Sequence, residues 1–256
     1  MANEAEQRLP PWEKDSLSSI LADAAFNERA SSLNFPEVYG LLKQVHSTFK
    51  CVAAAIEKDS RQELLVPRFL IIRVHSAFLA AVRLAMSGQA FEATLVLRAA
   101  IEQAWYALHI ARDPRPPERS AIWLQRHHSP ATQKKCKEEF TVAKVRATHE
   151  GLDAVTAKVL RELYDTTIDF GAHPNEKGIL ASVRREETKD AVTYQVGILH
   201  PEPLLMTATL KTVIEVAIGT LKVGQLISPK QLKVMGLDLS IDQLIREVPR
   251  TFADGK

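Results

Sequence analysis

Apolar residues recur along the chain at the three-and-four spacing of α-helices, and in the stretch QAFEATLVLRAAIEQAWYALHIAR at 89–112 they run right round the helix. At 100° per residue, Phe91, Leu95, Arg98, Glu102, Trp105 and His109 share one face, and Ala93, Val96, Ala100, Ala104, Ala107 and Ala111 the other. A helix without a polar side belongs at the centre of a bundle, so the remaining helices are expected to pack around this one. Between Glu92 and Arg112 its only formal charges are Arg98 and Glu102, one turn apart on the face of large side chains. The base precedes the acid, the reverse of the order that best supports an exposed helix. The sequence therefore predicts a buried pair, which either fixes helix register or lines a polar pocket where a guanidinium meets an anion.

Before this helix the pattern predicts three others. Residues 12–31 place Leu17, Ile20, Leu21, Ala24 and Ala25 on one stripe, and residues 36–59 open on Pro36 with Val38, Leu41, Leu42, Val45, Phe49, Val52 and Ile56 inside. The third starts near Pro67 and ends at Ser87-Gly88, a break that predicts an antiparallel hairpin with the central helix and brings Arg73 and His75 to the depth of Glu102.

After it, DPRPPERS at 113–120 stops the helix, and a short helix carrying Trp123 follows. Ser129-Pro130 then caps a helix expected to reach Thr148, charged over most of its circumference and read as a surface element or lid. Residues 152–170 form an amphipathic helix with Leu152, Val155, Val159, Leu163, Thr166 and Phe170 inward and Glu162, Asp169 and His173 along one flank. The runs 179–186 and 191–199 alternate as strands around ETKD and predict a small hairpin packed on the bundle. A long helix resumes at Pro201, with Leu210, Val213, Ala217 and Leu221 at core spacing, and residues 229–256 suit short helices, with Ser240 and Gln243 as a capping box. The expected fold is thus all-α, a multi-helix bundle with one small β-hairpin near 179–199. No linker or repeat divides it, and residues 1–11 form a loose arm.

Composition narrows the function. Hydrophobic residues make up 46% of the 256, ample for a core, and 33 basic against 31 acidic side chains leave +2, with no overall field to draw the chain onto nucleic acid or an anionic membrane. The start of the chain lacks a secretory pattern, and Lys211, Glu215 and Lys222 interrupt the apolar run 204–227, so no membrane span is expected. Cys51 and Cys136 share no metal or redox spacing; Cys51 reads as core and Cys136 as exposed, and a reducing cytoplasm is the expected setting.

Phosphate-loop, dinucleotide, zinc-protease, nucleophile-elbow and paired CxxC motifs are all missing, as is the Glu-x-x-His spacing of di-iron bundles, and a zinc site from His127, His128 and His149 lacks a preorganised geometry. No metal or cofactor is expected. What remains is a constellation: Arg98 and Glu102 on the central helix, with Tyr164, Asp169, His173 and Asn175 around a later helix end.

The segments LVLRAAIEQAWYALHIA and LYDTTIDFGAHPN resemble a group of uncharacterised bacterial all-helical proteins with an R-x-x-x-E helix and a later Tyr…His-Pro element. More distantly, 69–221 is similar to the HEPN (higher eukaryotes and prokaryotes nucleotide-binding) helical domains. That resemblance implies a nucleotide or RNA ligand. In many members it implies metal-independent RNA cleavage by an arginine and a histidine four to six residues apart. Here the nearest arginine upstream of His173 is Arg161, outside that spacing, so cleavage would require Arg98 to stabilise phosphate charge while His173 moves the proton. Two functions are carried forward: a binding protein whose Arg98, Glu102, Tyr164, Asp169, His173 and Asn175 hold a small anionic or nucleotide-like ligand or serve a partner protein, and a ribonuclease with His173 and Arg98 catalytic. Wide apolar stripes also allow a homo-oligomer, although no heptad run specifies one.

Overall fold

The chain is described from a computed structural model over residues 15–172, 176–188, 191–200 and 202–253. The carboxylate of Asp15 accepts the backbone N–H groups of Leu17 and Ser18 and so opens α1 (Ser16–Asn34). Proline in the first turn then starts α2 (Pro36–Glu57), and a short turn leads into α3 (Leu65–Ser87). The central stretch forms α4 (Ala90–Ala111), followed by α5 (Glu118–Leu124), α6 (Pro130–Glu139), α7 (Val142–Glu150) and α8 (Ala154–Thr167), which widens into a π turn (Ile168–Ala172). After α9 (Glu176–Ser182) come β1 (Val183–Glu187) and β2 (Val192–Val196), then α10 (Pro203–Ile227), α11 (Pro229–Val234) and α12 (Leu237–Thr251). The fold is an all-α bundle with one antiparallel two-stranded hairpin, as the patterning predicts.

Helix α4 is the hub. It packs on α3 and α10 along its length and carries α7, α8 and the π turn on its remaining side. Its alanine face, Ala93, Ala100, Ala104 and Ala107, is sealed, and Leu97, Ile101, Trp105 and Leu108 are buried with it. One hydrophobic cluster runs from Val38 on α2 to Val248 on α12. Two segments, Gln62–Ser87 and Pro203–Ile227, are long and apolar enough to cross a membrane; here both are bundle helices, packed on each other and on α4.

Three glycines set the spacing. Gly88 ends α3 at φ 92°, where a side chain is strained, and its carbonyl accepts the N–H of His200 at 2.8 Å. On α10, a methyl at Gly219 would lie 2.6 Å from Leu160 on α8, and one at Gly224 would lie 2.9 Å from Val52 on α2, so hydrogen at these positions lets the helices touch.

Several expectations are corrected. On α1 the stripe of Leu17, Ile20 and Leu21 faces outward, with Leu17 67% exposed; the helix docks instead through Ser18 and Ser31, with Ser31 bonded to the carbonyl of Met86 and Asn27 to that of Ser87. The buried stripe of α8 is Ala157, Leu160, Tyr164 and Thr167, rotated from the predicted one, and Val155 is 77% exposed. The helix expected across 130–148 breaks at Phe140 and Thr141, because Thr141 caps α7 with its own side chain. It is no detached lid, since Cys136, Phe140, Val145 and His149 are buried. The cysteines are exchanged, Cys51 being exposed and Cys136 buried. Residues 179–182 belong to α9 rather than a strand, and the hairpin is exposed rather than packed on the bundle. Ser240 lies inside α12, which Gly236 opens. The expected arm at 1–11 lies outside the described residues.

Candidate functional site

Arg98 and Glu102 meet one turn apart on α4, with Arg98 Nε donating to Glu102 Oε1 at 3.0 Å. From α8, the hydroxyl of Tyr164 donates to the same oxygen at 2.9 Å. The rotated stripe of α8 makes this possible, because it turns Tyr164 inward until the ring is buried beside Trp105, at a centroid separation of 5.2 Å. Burial, reinforced by the bond to Glu102, raises the pKa of Tyr164, so the phenol stays a donor. The bond that Arg98 donates to Glu102 raises the pKa of Arg98, which stays a cation.

The pair is not sunk in the core as the sequence suggests. The side chain of Arg98 is 28% exposed and that of Glu102 39%, because α7, α8 and the π turn on this side of α4 leave the pair partly open to solvent. It is half-open, and a second arginine joins it. Arg146, from α7, lays its guanidinium carbon 4.6 Å from the centroid of Tyr164 and 5.0 Å from that of Trp105, while Arg98 stands 5.4 Å from Tyr164. The contact of Arg146 with the exposed Asp165 is long, at 3.5 Å. Its buried Nε has no acceptor among the described residues.

Of the other expected members, Asp169 lies in the π turn, which packs against α4 so closely that a methyl on Gly171 would strike the hydroxyl of Thr94. His173 and Asn175 lie outside the described residues. Arg73 is exposed and His75 faces α2, where its Nε2 meets Nδ1 of His46 at 2.9 Å, so neither is the partner of Glu102. Glu162 is exposed and pairs with Lys158.

Behind the cluster lie two buried histidines that sequence reasoning left without partners. His149 on α7 accepts the indole N–H of Trp105 on Nδ1 at 3.2 Å. An acceptor at Nδ1 places the proton on Nε2, and burial lowers the pKa, so the ring is neutral. His109 on α4 meets Thr148 at 2.7 Å through Nδ1 and Glu139 at 3.2 Å through Nε2. Burial and the nearby charge of Arg119 lower its pKa. Burial opposes ionisation of Glu139, but bonds from Arg119 at 2.8 Å and Lys144 at 3.2 Å outweigh it and hold this carboxyl below its usual range. Arg119 also donates to the carbonyls of His109 and Arg112, tying α5 to the end of α4. This His–Glu pair closes the end of the hub. A hint stood in the sequence: Val145 and His149 keep the four-residue spacing of a buried edge within an otherwise charged segment.

Among the described residues no three His, Cys, Asp or Glu side chains gather as a metal site; His127 and His128 are exposed while His149 is buried against Trp105. No family model, curated protein or solved structure matches the chain.

Proposed function

We propose that the Arg98, Glu102, Arg146 and Tyr164 cluster binds a small phosphate-bearing or nucleotide-like anion. The observation that carries the reading is the convergence of two guanidinium groups, one from α4 and one from α7, on the ring of Tyr164 at a half-open surface. Guanidinium forks match the geometry of phosphate oxygens, and rings beneath them preorganise the forks at little entropic cost. Glu102 positions two of the three groups, since it accepts from both Arg98 and Tyr164. The loosely held Asp165 is the carboxylate an incoming anion displaces, because an exposed pair at 3.5 Å contributes little.

The alternative, RNA cleavage with His173 carrying the proton and Arg98 stabilising phosphate charge, draws no separate support from the cluster. His173 lies outside the described residues, and the neighbouring His149 is buried and engaged with Trp105.

Calorimetric titration with inorganic phosphate and with a nucleoside monophosphate tests the proposal. Saturable binding is expected for the intact chain, weakened about tenfold or more in Arg98→Gln and in Arg146→Gln, each of which removes a charge-assisted contact. Absence of saturable binding with both probes, or variants that bind as tightly as the intact chain, ends it.

A further inference from the structure

Among the described residues the hairpin has little protein around it. Residues 185–188 and 191–198 are all exposed, on both faces of the ribbon, including Tyr194 at 67%. A lone two-stranded ribbon is marginal in water, and its outer edges carry unpaired peptide groups.

The pairing identifies which groups those are. Val183 stands opposite Val196, Arg185 opposite Tyr194 and Glu187 opposite Val192. The ladder ends in bonds from Gly197 N to the Ser182 carbonyl and from Thr188 N to the Ala191 carbonyl. In antiparallel ribbons bonded and unbonded pairs alternate. Counting inward from both ends, the bonded pairs include Gln195 with Arg184 and Thr193 with Glu186, so the peptide groups of Val192, Tyr194 and Val196 point away from β1. The side chains of these three residues also share one face, since they lie two apart.

The open edge of β2 is therefore a symmetric object centred on Tyr194, with a valine two residues to either side and no charge from Val192 to Val196. The edge of β1 is guarded. A twofold pairing there would set Arg185 against its own copy, and Arg185 is already engaged with Glu187 at 2.8 Å.

We propose that β2 pairs antiparallel with β2 of a second copy of this chain, about a twofold axis at Tyr194, to form a four-stranded sheet in the order β1, β2, partner's β2, partner's β1. Tyr194 then faces its own copy and Val192 faces Val196 in both directions, each pair exchanging two peptide hydrogen bonds and adding its side chains to an apolar strip that Arg185 and Glu187 of each β1 flank on the same face. An extended peptide from another protein could use the same edge, but the identical residues on both sides of the axis favour a self-pairing. A contact this small produces a concentration-dependent dimer rather than a permanent one.

Sedimentation equilibrium over two decades of concentration reads the association directly. The average mass is expected to climb from 28.5 kDa towards twice that value, to stay monomeric in Tyr194→Lys, and to climb normally in Gln195→Lys, whose added charge sits on the opposite face. In a Cys51→Ser background, oxidation should link Tyr194→Cys into a covalent dimer, because bonded antiparallel pairs fall within disulfide reach. Val192→Cys should not link to itself, since its opposite number is Val196. A chain that remains monomeric throughout, a dimer untouched by Tyr194→Lys, or a link that forms through position 192 instead of 194 overturns the proposal. Circular dichroism on each variant separates these outcomes from failure to fold.

Discussion

The indole of Trp105 donates its only hydrogen bond to Nδ1 of His149, joining the hub helix to α7 through two buried rings. His149 must stay neutral for this bond to persist. His75, His109 and His149 all have lowered pKa values, each through burial first; in His75 the charges of His46 and Lys50 add to it. In the unfolded chain these rings titrate near 6.5, so below that pH the unfolded state binds more protons than the folded one. Their contribution is complete above pH 6.5 and declines as the pH falls through that value towards the lower folded pKa. The melting temperature should therefore drop between pH 7 and 5, and more shallowly in His149→Phe, as thermal melts across that range would record. A flat profile would mean that the folded protein holds these rings no more neutral than water does.

Two glycines in helix interiors should respond in opposite directions. Gly219→Ala pushes a methyl into the fully buried Leu160, which has nowhere to retreat, and should cost about 1–3 kcal/mol before a partial offset from helix propensity. Gly40→Ala on α2 meets nothing within 4 Å and should stabilise by about 0.5–1 kcal/mol. Urea unfolding of the two variants reads both signs at once. A gain from Gly219→Ala would show that α8 and α10 are not in contact there.

Asp59 joins the end of α2 to the end of α10. It accepts from Arg61 at 2.7 Å and from Ser228 at 2.5 Å, while Arg61 and Arg112 cap the carbonyls of Ile227 and Leu226. The bond from Arg61, helped by that from Ser228, holds the Asp59 carboxyl at about 2. Since the folded value is depressed, this stabilisation is full above the unfolded pKa of 3.8 and disappears as the pH falls towards 2. Asp59→Asn should lose about 1–2 kcal/mol at neutral pH, after discounting for the solvent around Arg61, and less below pH 3. Chemical denaturation at both pH values measures the difference.

The two thiols should separate cleanly. Cys51 is exposed, whereas Cys136 is 4% exposed and burial raises its pKa. A thiol reagent at neutral pH should titrate one cysteine rapidly in the native protein and the second only in denaturant. Two fast equivalents would mean that α6 does not stay docked.

The helices were legible wherever both their period and their punctuation agreed. The all-round apolar character of α4, Gly88 after α3 and Pro36 before α2 each matched a physical requirement of the element they mark. Rotation about the helix axis was harder to read. On α8, Val155 and Val159 face water while the smaller Ala157 is buried beside Leu160, because the surface that receives α8 is shaped around Gly219. Hydrophobicity alone would bury the valines before the alanine. The same blindness hid one of the four members of the candidate site: Arg98, Glu102 and Tyr164 stand out in the sequence and do meet, but Arg146 sits in a charged segment where nothing local distinguishes a guanidinium over a ring from one in solvent. The apolar run around Arg98 and Glu102 also points to a buried pair, whereas their real cover depends on how α7, α8 and the π turn are laid over that face, which no local pattern encodes.

The return of the chain from the ribbon is fastened to the bundle where the N–H of His200 reaches the carbonyl of Gly88, leaving no room for a side chain on that glycine, and where the His200 ring meets that of Phe91 edge-on. The corner it grips joins α3 to the hub. Any pull on the ribbon would therefore be felt first at the seam between α3 and α4, the two helices that pack most extensively on each other among the described residues.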